Sequence, residues 1–220
     1  TETIKKQSEA NFSLLSRYYQ RGTIVPFLGS GFSSCISGSK FPQWKKFLLD
    51  YANQLGIQGK IIDILNNKNI PFRYELAATT IATYDAAFTE KIQDFFALDK
   101  NDTISSSALV QWLPKLFAKS PLLSSNLDTV IETVYQNYGS PLEQIVYGMS
   151  FTNQQLKRIT SNKDHILLKI HGCIKDKNTI VFSENQYSKL YGPLDATRKY
   201  KNKANRIFPT LFEKMANEIR

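Results

Sequence analysis

Three short stretches carry residue types suited to chemistry. Gly29-Ser30-Gly31 follows the apolar run 23–28. Glycines just past a strand let backbone N–H groups approach a phosphate with no Cβ in the way, and Ser33 and Ser34 add hydroxyl donors. The same residues also suit an ordinary tight turn. Asn126 and Asp128 lie just beyond a second apolar run, 121–125. An asparagine donates and accepts, whereas an ionised aspartate only accepts, so the pair can grip a polar ligand. Asp128 fits equally well as the cap of the helix that follows it. His171-Gly172 ends a third run, Leu167-Leu168-Lys169-Ile170. A histidine with a pKa near ~6.5, at a strand end beside a glycine, suits a general base. It also suits a hydrogen-bonded histidine at the edge of a sheet.

The elements that must position these residues follow from hydrophobic spacing. Phe12, Leu14, Leu15 and Tyr18 predict a helix over 9–20. A buried strand is expected over 23–28, with Pro26 as a flaw because proline cannot donate to a sheet ladder. Trp44, Phe47, Leu48, Tyr51 and Leu55 mark one face of a helix starting after Pro42. The same test predicts a helix over 73–98 with a break near Tyr84, and a short helix over 108–113 stopped by Pro114. Strand 121–125, helix 128–138, strand 165–170, strand 179–182 and helix 184–191 follow. A last amphipathic helix carries Phe208, Leu211, Phe212, Met215 and Ile219. Strands that alternate with helices give an α/β class with a mainly parallel sheet. In such sheets a ligand sits outside the carboxyl ends of the strands, and all three stretches fall there.

Composition narrows the classes. The 220 residues are 42% hydrophobic and 21% charged, which fits one folded domain rather than a disordered or fibrous chain. No apolar run approaches the ~20 residues of a membrane span, and 1–7 is polar, so no membrane partner is expected. Cys35 and Cys173 are the only cysteines, and His165 and His171 the only histidines. That excludes a disulfide scaffold and a zinc site of paired Cys-x-x-Cys motifs, and it favours a cytoplasmic setting. The net charge of +9 is uneven: residues 157–220 hold 14 Lys and Arg against 6 Asp and Glu. Its densest stretch, 198–206, contains Arg198, Lys199, Lys201, Lys203 and Arg206. It reads as a solvated loop or as a contact for a protein or nucleic acid.

The ordered set Phe-Leu-Gly-Ser-Gly-Phe-Ser (27–33), Phe-Pro-Gln-Trp (41–44), Ser-Ser-Asn-Leu-Asp (124–128), Lys-Ile-His-Gly (169–172) and Glu-Asn-Gln-Tyr-Ser-Lys-Leu-Tyr (184–191) resembles the sirtuin-like NAD-consuming domains. It looks closest to their bacterial antiphage-defence branch. The resemblance implies a Rossmann-like sheet with helices on both faces and a helical insert over about 42–105. It implies that Gly29, Ser30 and Gly31, with Ser33, hold the NAD pyrophosphate and that Asp128 contacts the nicotinamide carboxamide. Asn126 would lie beside the nicotinamide ribose, and His171 would be the catalytic histidine. The paired cysteines that hold zinc in deacetylating sirtuins are missing, so no zinc module and no metal are expected. The family closes with a strand carrying Gly-x-Ser on the adenosine side. This chain stops before any such motif, which suggests the N-terminal part of a longer protein.

These readings converge on hydrolysis of NAD to nicotinamide and ADP-ribose, by an oligomer or a multi-domain assembly. Protein deacylation is the alternative within the same family. A non-catalytic module that binds NAD, ADP-ribose or nucleic acid is the alternative outside it.

Overall fold

The computed structural model describes residues 2–36, 40–70, 72–99, 104, 107–139, 141–142, 144–147 and 165–191. The basic stretch 198–206 and the helix expected around Phe208–Ile219 lie outside the described residues.

The described chain opens with helix α1 (Glu2–Gln20), which starts seven residues earlier than the helix expected over 9–20. Strand β1 (Phe27–Leu28) then leads straight into a short helix, α2 (Ser30–Ile36). Four helices follow: α3 (Trp44–Gln54), α4 (Gln58–Asn66), α5 (Arg73–Tyr84) and α6 (Phe88–Phe95). The break expected near Tyr84 falls between α5 and α6, while α4 carries no counterpart in the sequence reading. Helix α7 (Ala108–Leu116) precedes strand β2 (Leu122–Ser124) and helix α8 (Val130–Tyr138). Strands β3 (Gln144–Tyr147) and β4 (Ile166–Lys169), a 3₁₀ turn (Lys177–Thr179) and helix α9 (Glu184–Tyr191) complete it.

The four strands form one parallel sheet in the order β1-β2-β4-β3. This is a small Rossmann-like α/β arrangement. Its register aligns Leu28 with Ser124 and Ser124 with Lys169, so the three strand ends finish level with one another. Pro26 is tolerated because it opens the ladder. Its carbonyl accepts from Leu123 N at 2.9 Å, and the missing N–H falls where the pairing has not yet begun.

Two expectations are corrected, and one strand is new. Residues 179–182 are not a strand of the sheet: Asp176 caps a 3₁₀ turn by accepting from Asn178 N, and the chain then runs extended with Val181 N donating to His171 O at 2.9 Å. Pro114 does not stop α7, which continues to Leu116, since a proline near the end of a short helix removes a single backbone bond. Strand β3 was not foreseen, and it pairs along its whole length with β4.

The core joins the sheet to the helices between β1 and β2. Phe41, Phe47, Phe88, Phe96 and Phe182 are all buried, and Trp44 packs on Phe182 with ring centroids 4.4 Å apart. Such ring pairs add about 0.5–1.5 kcal/mol each beyond their buried area. They clamp α3 to the segment that follows the 3₁₀ turn, and this segment leads directly to α9.

Candidate active site

Two residues beyond the aligned pair Ser124 and Lys169 stand Asn126 and His171, so the sheet register places both just past the same edge of the sheet. Ile170 N donates to Ser124 O at 2.8 Å and holds the two strand ends together just before they diverge. Gly29 occupies the same level on β1, and a Cβ there would lie 3.8 Å from Ser125 Oγ.

Asn126 is 2% exposed and Asp128 is 3% exposed. Asn126 Nδ2 donates to Gly29 O at 3.1 Å and to Ser33 Oγ at 2.7 Å. A carbonyl only accepts, which fixes the orientation of the amide. Ser33 in turn donates to Asp128 Oδ1 at 3.0 Å, and the same oxygen accepts from Val130 N at 3.0 Å. Asp128 therefore stands just before the N-cap Thr129, accepts the first N–H of α8, and is tied to Asn126 through Ser33. Ser33, expected to reach a phosphate, is 1% exposed and joins these two residues instead. Burial pushes the Asp128 carboxyl above its ordinary range, against the pull of Lys169 and these hydrogen bonds. Asn126 Oδ1 is buried without a protein partner, which leaves one acceptor of this network unused.

Lys169 is fully buried beneath this loop. Its Nζ donates to Glu132 Oε1 at 2.9 Å and to the backbone oxygens of Leu127 and Asp128. Burial works against its charge, but Glu132 and Asp128 help hold its pKa above the ordinary lysine value. The lysine thus staples the loop 126–128 to α8. A lone lysine inside Leu-Leu-Lys-Ile was the signal available in the sequence.

His171 sits on the wall of a cavity of about 280 Å³. Trp44, Leu48, Val181 and Phe182 supply its apolar side, and Ser30, Lys45, Glu75 and Tyr187 its polar side. Burial lowers the His171 pKa to about 4, against a hydrogen bond to the Ser125 backbone, so the ring is neutral at physiological pH. Tyr187 Oη lies 2.7 Å from His171 Nε2. Tyr187 is also hydrogen-bonded to Glu75, whose carboxyl is pushed up chiefly by burial.

Helix α9 is placed for this contact by its own start. Ser183 and Gln186 form a capping box in which Gln186 Oε1 accepts from Ser183 N at 2.7 Å. Glu184 N donates to Thr79 Oγ1 at 2.8 Å and docks α9 on α5.

The structure thus brings Ser30 and His171 to one cavity. Asn126, Ser33 and Asp128 form a buried network behind it and do not line it. Gly29 and Gly31 do not line it either, and a Cβ on Gly31 would meet nothing within 4 Å. Glu75 had no assigned role in the sequence, and Tyr187 appeared there only within a family motif. No group of three or more His, Cys, Asp and Glu that could hold a metal ion occurs among the described residues. No helix among them is long and apolar enough to cross a membrane.

The family model of the SIR2-like domain matches residues 120–217 of this chain. The match spans β2, α8, β4 and α9, and with them Asn126, Asp128, His171 and Tyr187. Residues 120–217 are thus similar to a sirtuin-like domain, a type whose members are NAD-dependent enzymes. No curated protein matches the chain significantly.

Proposed function

We propose that the protein hydrolyses NAD to nicotinamide and ADP-ribose. The observation that carries this reading is the cavity at the carboxyl ends of the parallel strands. It has aromatic walls in Trp44 and Phe182, one acid in Glu75, and a neutral histidine at its side. Aromatic faces and a carboxylate favour a cationic ring, and the nicotinamide of NAD is one. The unused Asn126 Oδ1 adds an acceptor for a ribose hydroxyl or a water close to the same strand ends.

The bond to be broken joins a pyridinium to ribose, so the leaving group departs neutral without being protonated, through a transition state of oxocarbenium character like that of glycoside hydrolysis. The residues then have limited work. Asn126 orients the ribose or the attacking water through Oδ1 once the loop that buries it opens. Asp128, fixed by Ser33 and Val130, holds the loop that presents Asn126 and reaches the carboxamide if that loop opens. Ser30, with Gly29 and Gly31, lies at the start of α2 on the side expected for the pyrophosphate. His171 accepts a proton, a contribution of roughly 10²–10⁴-fold. The apolar wall excludes bulk water and strengthens each of these interactions.

The wider setting rests on the sequence resemblance: a single cytoplasmic domain over 1–220, acting as an oligomer or multi-domain assembly that depletes NAD in antiphage defence. The basic stretch 198–206 is its proposed contact for a protein or nucleic acid. The test is incubation with NAD and detection of free nicotinamide and ADP-ribose without any acyl acceptor, with Asn126→Ala and His171→Ala as controls. Product that forms only when an acylated peptide is supplied would favour deacylation instead.

A further inference from the structure

The Tyr187 hydroxyl stands between two groups of the cavity. One is His171 Nε2 at 2.7 Å, with the two rings edge to face at 5.4 Å between centroids. The other is the carboxyl of Glu75. His171 also donates to the Ser125 backbone. A neutral imidazole has one N–H and one bare nitrogen. With Nδ1–H spent on Ser125, Nε2 is an acceptor, and the single phenolic proton of Tyr187 serves either Nε2 or the Glu75 carboxylate at any moment. Both ring nitrogens are therefore engaged, while His171, Tyr187 and Glu75 all line the cavity.

We propose that Tyr187 relays to His171 the proton that the reaction releases, and that Glu75 is the positioning residue that keeps the Tyr187 hydroxyl in line. The proposal deepens the hydrolase reading and rests on it for the identity of the proton donor. A ribose hydroxyl or a water gives its proton to Tyr187 Oη as the phenolic proton passes to Nε2. One O–H bond breaks on the donor, one breaks and one forms at the phenol, and an N–H bond forms on His171. The imidazolium then donates back to Oη, and the new phenolic proton turns to the Glu75 carboxylate. The charge ends as an imidazolium facing a carboxylate across a phenol. This is the logic of a base held by a third group, with the phenol inserted between base and substrate.

Two features support a built arrangement. The start of α9 is fixed twice, by its capping box and by the bond from Glu184 N to Thr79, four residues along α5 from Glu75. The other ionisable groups near the chain of contacts are Lys45 from α3, Tyr74 from α5 and Glu184 from α9.

The experiment uses Tyr187→Phe and Glu75→Gln with two readouts. The protein contains two histidines, so ¹⁵N-histidine spectra resolve His171 from His165. Wild type should show His171 as the neutral Nδ1–H tautomer with a hydrogen-bonded Nε2. Tyr187→Phe keeps the ring and removes the donor, and should shift the Nε2 signal. In NAD turnover, Tyr187→Phe should lower kcat by about 10²-fold or more with KM changed less than about 3-fold, as expected for lost proton transfer. Glu75→Gln should lower kcat less, about 10-fold, and leave the His171 tautomer in place. An unchanged Nε2 signal in Tyr187→Phe overturns the proposal, as does wild-type kcat in that variant when His171→Ala is inactive. A wild-type protein that releases no nicotinamide, yet has an Nε2 signal sensitive to Tyr187→Phe, overturns the hydrolase reading and supports the Tyr187–His171 coupling.

Discussion

Gly172 should be the position least tolerant of a methyl group. Its φ is +82°, in the left-handed region. A Cβ built on it falls 1.9 Å from Thr179 O, 2.3 Å from Thr179 C and 2.8 Å from Ile180 N. All three are backbone atoms, so no side chain can swing away. That backbone is itself anchored. Thr179 N donates to Asp176 O at 3.0 Å, Cys173 N donates to Thr179 Oγ1 at 3.1 Å, and Val181 N donates to His171 O at 2.9 Å. Alanine in the left-handed region costs about 1–2 kcal/mol. Forcing extra volume into a packed site costs about 1–3 kcal/mol more. Gly172→Ala should therefore lose about 2–5 kcal/mol, a large share of the ~5–15 kcal/mol typical of a domain. Relief of the clash pushes 179–181 away from His171, so any folded fraction should also release nicotinamide more slowly. Urea unfolding monitored by far-UV circular dichroism measures the first effect. Gly31→Ala is the internal control, since a Cβ there meets nothing within 4 Å and φ is not left-handed. It should match wild type or gain up to ~1 kcal/mol as a helical alanine. A Gly172→Ala variant within ~0.5 kcal/mol of wild type would refute the reasoning.

Lys169→Met should destabilise the protein by about 3–5 kcal/mol, because the largely shielded Glu132 carboxylate loses its partner, and Lys169→Met/Glu132→Leu should recover most of that loss in chemical denaturation. Stability should fall as pH drops from about 6.5 toward 4. The unfolded chain binds a proton on His171 that the folded chain, with a pKa of about 4, refuses, and a pH series of melts on His171→Gln should show that slope reduced. Gln186→Ala should cost about 0.5–2 kcal/mol, by analogy with the loss of a helix cap. It should also lower NAD turnover, because the start of α9 then no longer fixes Tyr187; a variant with lower stability but undiminished turnover would separate the two effects.

The sequence announced those parts of the site that depend on local order. Gly29, Asn126 and His171 each follow an apolar run directly, and a parallel sheet brings such ends level; Asn126 bonds to Gly29 O, whereas His171 lines the cavity with Ser30. Asp128 was legible as a cap; it stands one residue before the N-cap Thr129 and accepts from Val130 N at the start of α8. Where a run was too short to declare itself, the reading failed. Thr179-Ile-Val-Phe has strand composition, yet Asp176 three residues earlier turns the chain and lays it beside His171 rather than in the sheet. Long-range partners left no trace that one sequence can show. Ser33 and Asp128 are 95 residues apart, and the Glu184–Thr79 bond that docks α9 spans 105. That docking bond sets Glu75 beside Tyr187. Ser183-Glu-Asn-Gln was a readable capping box, and it would have placed the start of α9 but not its neighbour. The histidine of such a site is therefore easier to find than the groups that set its protonation. The histidine is marked by the strand it ends, whereas its partners are chosen by how two distant helices pack.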